Sequence, residues 1–104
     1  MNYYLYITDQ GIDQRPFTYL SYDDLKGLVG DRRGMIGFAT NYFINRKLSI
    51  VHADLFDPAS AVTAKINGVN FQGPIVITDD VAGLTQKECD DVRGWINLPS
   101  IHLQ

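Results

Sequence analysis

The residues of this chain best suited to chemistry are one histidine and two aspartates that lie close together, His52, Asp54 and Asp57. An imidazole beside two carboxylates can ligate a divalent metal ion or carry protons in acid–base catalysis. If these three side chains converge in a pocket, they form the site of a metal-dependent enzyme that acts on a phosphorylated substrate. Each also has a structural explanation, because Asp57 precedes Pro58 as a helix cap and His52 suits a half-buried strand. The metal site is therefore an alternative hypothesis, and the leading one has no catalytic residue and no cofactor.

Two short basic segments provide a second alternative, weak binding of nucleic acid. They are Arg32-Arg33 and Arg46-Lys47, and Tyr42 and Phe43 lie between them. Grooves that bind single-stranded nucleic acid combine basic residues with aromatic residues that stack on the bases. These segments would form a small groove of that kind. The formal net charge of −3 argues against this function, because phosphate backbones are bound by an excess of positive charge.

The six tyrosines point to contact surfaces instead. Tyrosines occupy both faces of the first predicted strand, and one layer of helices covers only one face of a sheet. We therefore expect some of them on an open sheet face, where they would bind a partner. The expected function is a non-enzymatic interaction module that binds a protein partner, or a second copy of itself, through an exposed sheet face or edge. The expected contact residues are Tyr4, Tyr6, Tyr19 and Tyr42.

Length and composition predict one ordinary globular domain over residues 1–104. Hydrophobic residues make up 45% of the 104 residues and charged residues 20%, which excludes intrinsic disorder. The single cysteine, Cys89, excludes an internal disulfide and a cysteine-based zinc cluster, and its spacing places it as a buried thiol on the last helix. No apolar run is long enough for a membrane span, so we expect a cytoplasmic protein without membrane contacts.

Strand signals recur along the chain at the segments rich in β-branched and aromatic residues. The first strand is predicted at Tyr3–Thr8, and a second at Phe17–Leu20, hairpinned to the first. Another is predicted at Met35–Thr40, and Tyr42–Ile44 either extends it or forms a further strand. Leu48–Ala53 has apolar residues on both faces and is predicted to be central, and Ile75–Thr78 is predicted to be a buried strand.

Three short helices are predicted from caps and helical spacing. Ser21 and Asp24 form a capping box for the first helix, which ends at Gly30. The second follows the cap at Asp57 and continues through Ala59–Ile66. The third begins with the capping box of Thr85 and Glu88 and runs to about Asn97. The predicted class is α+β, with a mixed or antiparallel sheet of about four to five strands, helices on one side, and the order β-β-α-β-(β)-β-α-β-α.

Four motifs within Leu20–Ile96 resemble a small uncharacterised domain family of phages and mobile elements of Gram-positive bacteria. The motifs are Leu28-Val29-Gly30, Asp57-Pro58-Ala59-Ser60-Ala61, Gly73-Pro74-Ile75-Val76-Ile77 and Leu84-Thr85-Gln86-Lys87-Glu88. The resemblance implies an accessory protein of phage or mobile-element origin, and it implies no catalytic residues.

Overall fold

The computed structural model describes residues 1–29, 36–39, 48–53, 62–66, 68–79 and 82–98. These residues form two helices and eight strands. In chain order they are β1 (Tyr3–Thr8), β2 (Gly11–Pro16), α1 (Tyr22–Val29), β3 (Ile36–Ala39), β4 (Leu48–Ala53), β5 (Ala64–Ile66), β6 (Val69–Phe71), β7 (Ile75–Asp79), α2 (Gln86–Arg93) and β8 (Ile96–Asn97).

The strands form two sheets, and every pairing between the described strands is antiparallel. The larger sheet has the order β2-β1-β7-β4-β3, and the smaller has the order β6-β5-β8. The predicted α+β class is therefore confirmed. β4 lies between β7 and β3, as predicted for a central strand with apolar residues on both faces.

Strands β1, β7 and β4 of the larger sheet have buried residues on both faces, and each face has its own core. On one face, Leu5, Ile50 and Ile77 belong to a cluster that includes residues of α2 and the smaller sheet. On the other face, Val51 and Val76 belong to a second cluster with residues of α1. The expectation of helices on one side only is wrong, because α1 and α2 pack on opposite faces.

The second strand begins earlier than predicted. A two-residue turn at positions 9 and 10 reverses the chain at once, so β2 pairs with β1 from Gly11 to Pro16. The Phe17 amide still donates to the Asn2 carbonyl at 2.7 Å, and there the ladder ends. The predicted strand at Phe17–Leu20 is instead the connection from β2 to α1.

The helix predicted through Ala59–Ile66 is wrong in its last part, which is strand β5. Burial alternates there, because Ala64 and Ile66 are buried and Lys65 is exposed. Gly68 lies in the turn between β5 and β6 with φ of +81°. Residues 54–61 lie outside the described part of the chain, and the described residues contain no third helix.

The last helix has the predicted start but an earlier end. The Thr85 hydroxyl accepts from the Glu88 amide, and the Glu88 carboxylate accepts from the Thr85 amide, which confirms the capping box. The helix ends at Arg93, and the Gly94 amide donates to carbonyls of its last turn. Ile96 then pairs with Ile66 in the smaller sheet rather than continuing the helix.

Two glycines with positive φ, Gly83 and Gly68, give a matched test of the packing of Gly83 on Phe17. An alanine Cβ at Gly83 (φ +73°) would lie 2.6 Å from the Phe17 ring, whereas at Gly68 (φ +81°) it would meet nothing within 4 Å. Gly68→Ala therefore carries only the backbone penalty, about 1 kcal/mol. Gly83→Ala adds a clash at a buried position, and we expect a total loss of about 3 kcal/mol in the free energy of unfolding. Urea denaturation measures both losses, and equal losses would contradict the packing of Gly83 on Phe17.

Candidate interaction site

A concave surface lies between α1 and β1. α1 lies mainly over β7, β4 and β3 and reaches β1 through the hydrogen bond from the Tyr6 hydroxyl to the Leu28 carbonyl, so among the described residues the β1–β2 side of this sheet face is covered only in part. A groove of about 490 Å³ occupies this space. Its apolar lining comes from Tyr4, Leu20 and Leu28, which pack with the α1 core. Its size falls in the range of ligand-binding clefts.

α1 holds its position through its cap and its buried stripe. The Asp24 amide donates to the Ser21 hydroxyl at 3.1 Å, and the Ser21 amide donates to the Asp24 carboxylate at 3.0 Å, which confirms the predicted capping box. Leu25 and Val29 are buried against the sheet. The helix therefore borders the groove along its length, with Asp23 and Asp24 in its first turn and Gly27 and Leu28 nearer its end.

Tyr19 is the exposed aromatic residue of this site. It lies on the connection between β2 and α1, and it is 77% exposed. Besides the groove, it lines a second cavity of about 200 Å³ together with Phe17, Thr78 and Asp79. An aromatic ring that stands between two cavities and is largely in solvent is available for contact with another molecule.

The rim of the groove at the start of α1 is acidic. Asp23 and Asp24 both line it. One oxygen of Asp24 is occupied by the cap, and Asp23 forms an ion pair with Lys26 at 3.2 Å while its side chain is 88% exposed. Exposed carboxylates beside the Tyr19 ring are suited to a cationic side chain, through ion pairing and cation–π contact.

Gly27 is the residue of this site that the sequence interpretation missed. It lies within α1, is exposed, and lines the groove. A Cβ there would meet nothing within 4 Å, so the absence of a side chain leaves the groove open. The available signal was its position, since glycine inside a helix costs about 1 kcal/mol relative to alanine.

The three predicted contact tyrosines within the described residues do not form one exposed surface. Tyr4 is 6% exposed, so it lines the groove without presenting an exposed ring. Tyr6 is half-buried, and its hydroxyl donates to the Leu28 carbonyl at 2.7 Å. The reason is that residues of α1 and the Arg15 side chain lie against these two tyrosines, whereas the prediction assumed one open face. Tyr19 keeps the predicted exposure, and Tyr42 lies outside the described residues.

Arg15 on β2 covers part of this tyrosine pair. Its guanidinium carbon lies 4.6 Å from the centre of the Tyr6 ring, and its Nε donates to Asp13 at 2.7 Å. The hydrogen bond to Asp13, followed by the one to Tyr4, raises the pKa of Arg15 above its ordinary value. Arg15 is therefore a fixed positive charge on the edge strand.

His52 has a packing role among the described residues. Its Nδ1 lies 2.8 Å from the Ala53 carbonyl oxygen, and its ring centre lies 5.4 Å from that of Phe71. The ring also lies over Gly37, where an added Cβ would be 2.6 Å from His52 Cε1. These contacts explain a half-buried histidine without a ligand.

The remaining residues of the two alternative sites lie outside the described part of the chain. They are Asp54 and Asp57 of the metal site and Arg32, Arg33, Arg46 and Lys47 of the nucleic-acid site. Within the described ranges, no group of three or more His, Cys, Asp or Glu residues is placed to hold a metal ion. No helix in those ranges is long and apolar enough to cross a membrane.

Comparisons with known proteins return no match, whether to a family model, a curated protein or a solved structure. The resemblance to a domain family of phages and mobile elements therefore stays a prediction.

The buried thiol of Cys89 gives this fold a pH dependence. Cys89 is fully buried on the inner face of α2, as predicted, and burial raises the pKa of its thiol. In the unfolded chain the thiol ionises at about pH 8.5, while the folded protein keeps it neutral. Ionisation then favours the unfolded chain, so the stabilisation is complete below that pH and is lost as the pH rises toward the folded-state pKa.

We expect the free energy of unfolding of the protein to fall above about pH 8.5 relative to that of Cys89→Ala. Urea titrations of both proteins at a series of pH values measure the difference, because tyrosine and lysine ionisation is common to both. A difference that does not change with pH would contradict the raised pKa.

Proposed function

We propose that this chain is a small non-enzymatic interaction module that binds a protein partner through the groove beside Tyr19. The observation that carries the proposal is the groove of about 490 Å³ between α1 and β1, with a tyrosine 77% exposed at its edge. Tyrosine is enriched at protein interfaces, because its ring supplies apolar contact area and its hydroxyl a hydrogen-bonding group. In keeping with the family resemblance, the proposed role is that of an accessory protein of phage or mobile-element origin.

Charge complementarity indicates what the partner inserts. The groove combines an apolar lining, an exposed ring and the two carboxylates of Asp23 and Asp24. A lysine or arginine side chain satisfies all three, because its aliphatic stem packs on the apolar lining and its charged end reaches the carboxylates. The proposed ligand is therefore an exposed segment of a protein that carries at least one basic residue.

Two substitutions at Gly27 separate binding from stability. Gly27→Trp places an indole in the groove from an exposed helix position, where nothing obstructs the new Cβ. Gly27→Ala leaves the groove open, and we expect it to raise the free energy of unfolding by about 0.5–1 kcal/mol because alanine favours the helix. Thermal or urea denaturation of both variants shows whether each is folded before binding is measured.

The probe is a random peptide library displayed on phage and selected on the wild-type protein. We expect the selected peptides to contain Lys or Arg, and to bind wild type and Gly27→Ala at least about tenfold more tightly than Gly27→Trp or Tyr19→Ser, as is usual when a hot-spot contact is lost. Fluorescence polarisation of labelled peptides measures the affinities. Equal binding to Gly27→Trp and wild type, or selection of peptides without basic residues, would contradict the proposal.

A further inference from the structure

A second surface of the fold is the outer edge of β2. β2 is an edge strand of the larger sheet, and among the described residues no strand lies on its other side. The β1–β2 ladder shows which of its backbone groups face outward. The Phe17 amide bonds to Asn2 across this ladder, whereas the backbone groups of Tyr3 bond away from β2, to Leu84.

Backbone groups of successive residues in an antiparallel ladder point alternately to opposite sides. Counting back from Phe17, the residues that bond to β1 are Arg15, Asp13 and Gly11. The backbone groups that point outward are those of Ile12, Gln14 and Pro16. The outer edge therefore offers two amides and three carbonyls, since proline has no N–H.

The side chains along this edge carry one charge of each sign. Asp13 and Arg15 pair with Tyr6 and Tyr4 of β1, so they lie on the sheet face that carries α1. α1 lies mainly over β7, β4 and β3 and leaves these two side chains in solvent, 59% and 38% exposed. Within the chain they form an ion pair with each other at 2.7 Å.

We propose that a second copy of this chain pairs with the outer edge of β2, antiparallel and about a twofold axis at Gln14. In this register the Gln14 amides and carbonyls of the two copies exchange two hydrogen bonds, because both point outward. The Ile12 amide of each copy donates to the Pro16 carbonyl of the other. Asp13 then lies directly opposite Arg15 of the second copy, twice by symmetry.

Charge selects this register over its neighbours. An axis at Asp13 would place the two Asp13 carboxylates opposite each other, and an axis at Arg15 would do the same with two guanidinium groups. Like charges directly opposite in a ladder are destabilising, whereas opposite charges are favourable. An axis at Ile12 would place Asp13 opposite Gly11 and would form no ion pair between the two copies. Of these axes, only the one at Gln14 places both charged residues opposite a residue of opposite charge in the other copy.

This pairing also removes an exposed strand edge. Unpaired edges are sites of uncontrolled strand addition, and a twofold pair is closed because each copy uses the same edge. The two larger sheets become one continuous sheet. The inference uses a different surface from the groove beside Tyr19, so it stands or falls independently of the proposed function.

The test uses charge reversal and complementation. In D13R each copy places arginine opposite arginine, and in R15D each places aspartate opposite aspartate. Sedimentation velocity over a wide concentration series should show dimers of the wild type. Each single variant should dissociate at least about tenfold more readily, because two attractive pairs become repulsive. In an equal mixture of D13R and R15D, opposite charges face each other again, and a heterodimer should form.

The mixture is the decisive measurement. Both variants also lose the ion pair within the chain, and their melting temperatures report that effect separately. A loss of folding cannot produce association on mixing, so a heterodimer supports the register directly. A wild type that stays monomeric up to its solubility limit would overturn the inference. So would single variants that dimerise like the wild type, or a mixture in which no heterodimer forms.

Discussion

Burial of β7 on both faces is the constraint on which the rest of the structure depends. Ile75, Val76 and Ile77 are fully buried, and successive side chains of a strand point to opposite faces. Both faces of the larger sheet must therefore be covered, although the chain has only about a hundred residues with which to do it. α2 and the smaller sheet cover one face, and α1 covers the other.

α1 is too small to cover its face completely, and the open surfaces follow from that. Its eight residues span about 12 Å, whereas five strands extend about 19 Å from edge to edge. Because the helix lies mainly over β7, β4 and β3, the described elements cover this face least completely in the half formed by β1 and β2. The groove, the exposed charges of β2 and the free strand edge all lie in or beside that half.

The parts of the fold that follow from local chemistry were predictable from the sequence. Both capping boxes and the apolar strands β4 and β7 depend on neighbouring residues, and all are found as predicted. The prediction of a helix that ends at Ile66 was wrong in its last part. Ala64–Ile66 is so short that its apolar residues fit a helical period and a strand period equally well, and its pairing with β6 and β8 makes it a strand. Such long-range pairing leaves no local signal.

The candidate site was predictable only in part, for a similar reason. The exposure of Tyr19 was predicted from its residue type, whereas the burial of Tyr4 and Tyr6 could not be predicted because it depends on which side of the sheet α1 occupies. Gly27 and the acidic first turn of α1 gain their meaning from the groove, which exists only once the helix is placed on the sheet. The groove is bounded by α1 and β1, so it cannot be recognised from the sequence before the positions of these elements are known.

The two proposed contacts reinforce each other through symmetry. Directly paired residues in an antiparallel ladder lie on the same face, so pairing about Gln14 would place α1 and the Tyr19 groove of both copies on one side of the continuous sheet. A partner with two basic segments would then engage both grooves at once, and its second contact would form at a high effective concentration. Weak individual grooves would suffice for tight binding, which is an effective arrangement for a small chain with one short helix beside each groove.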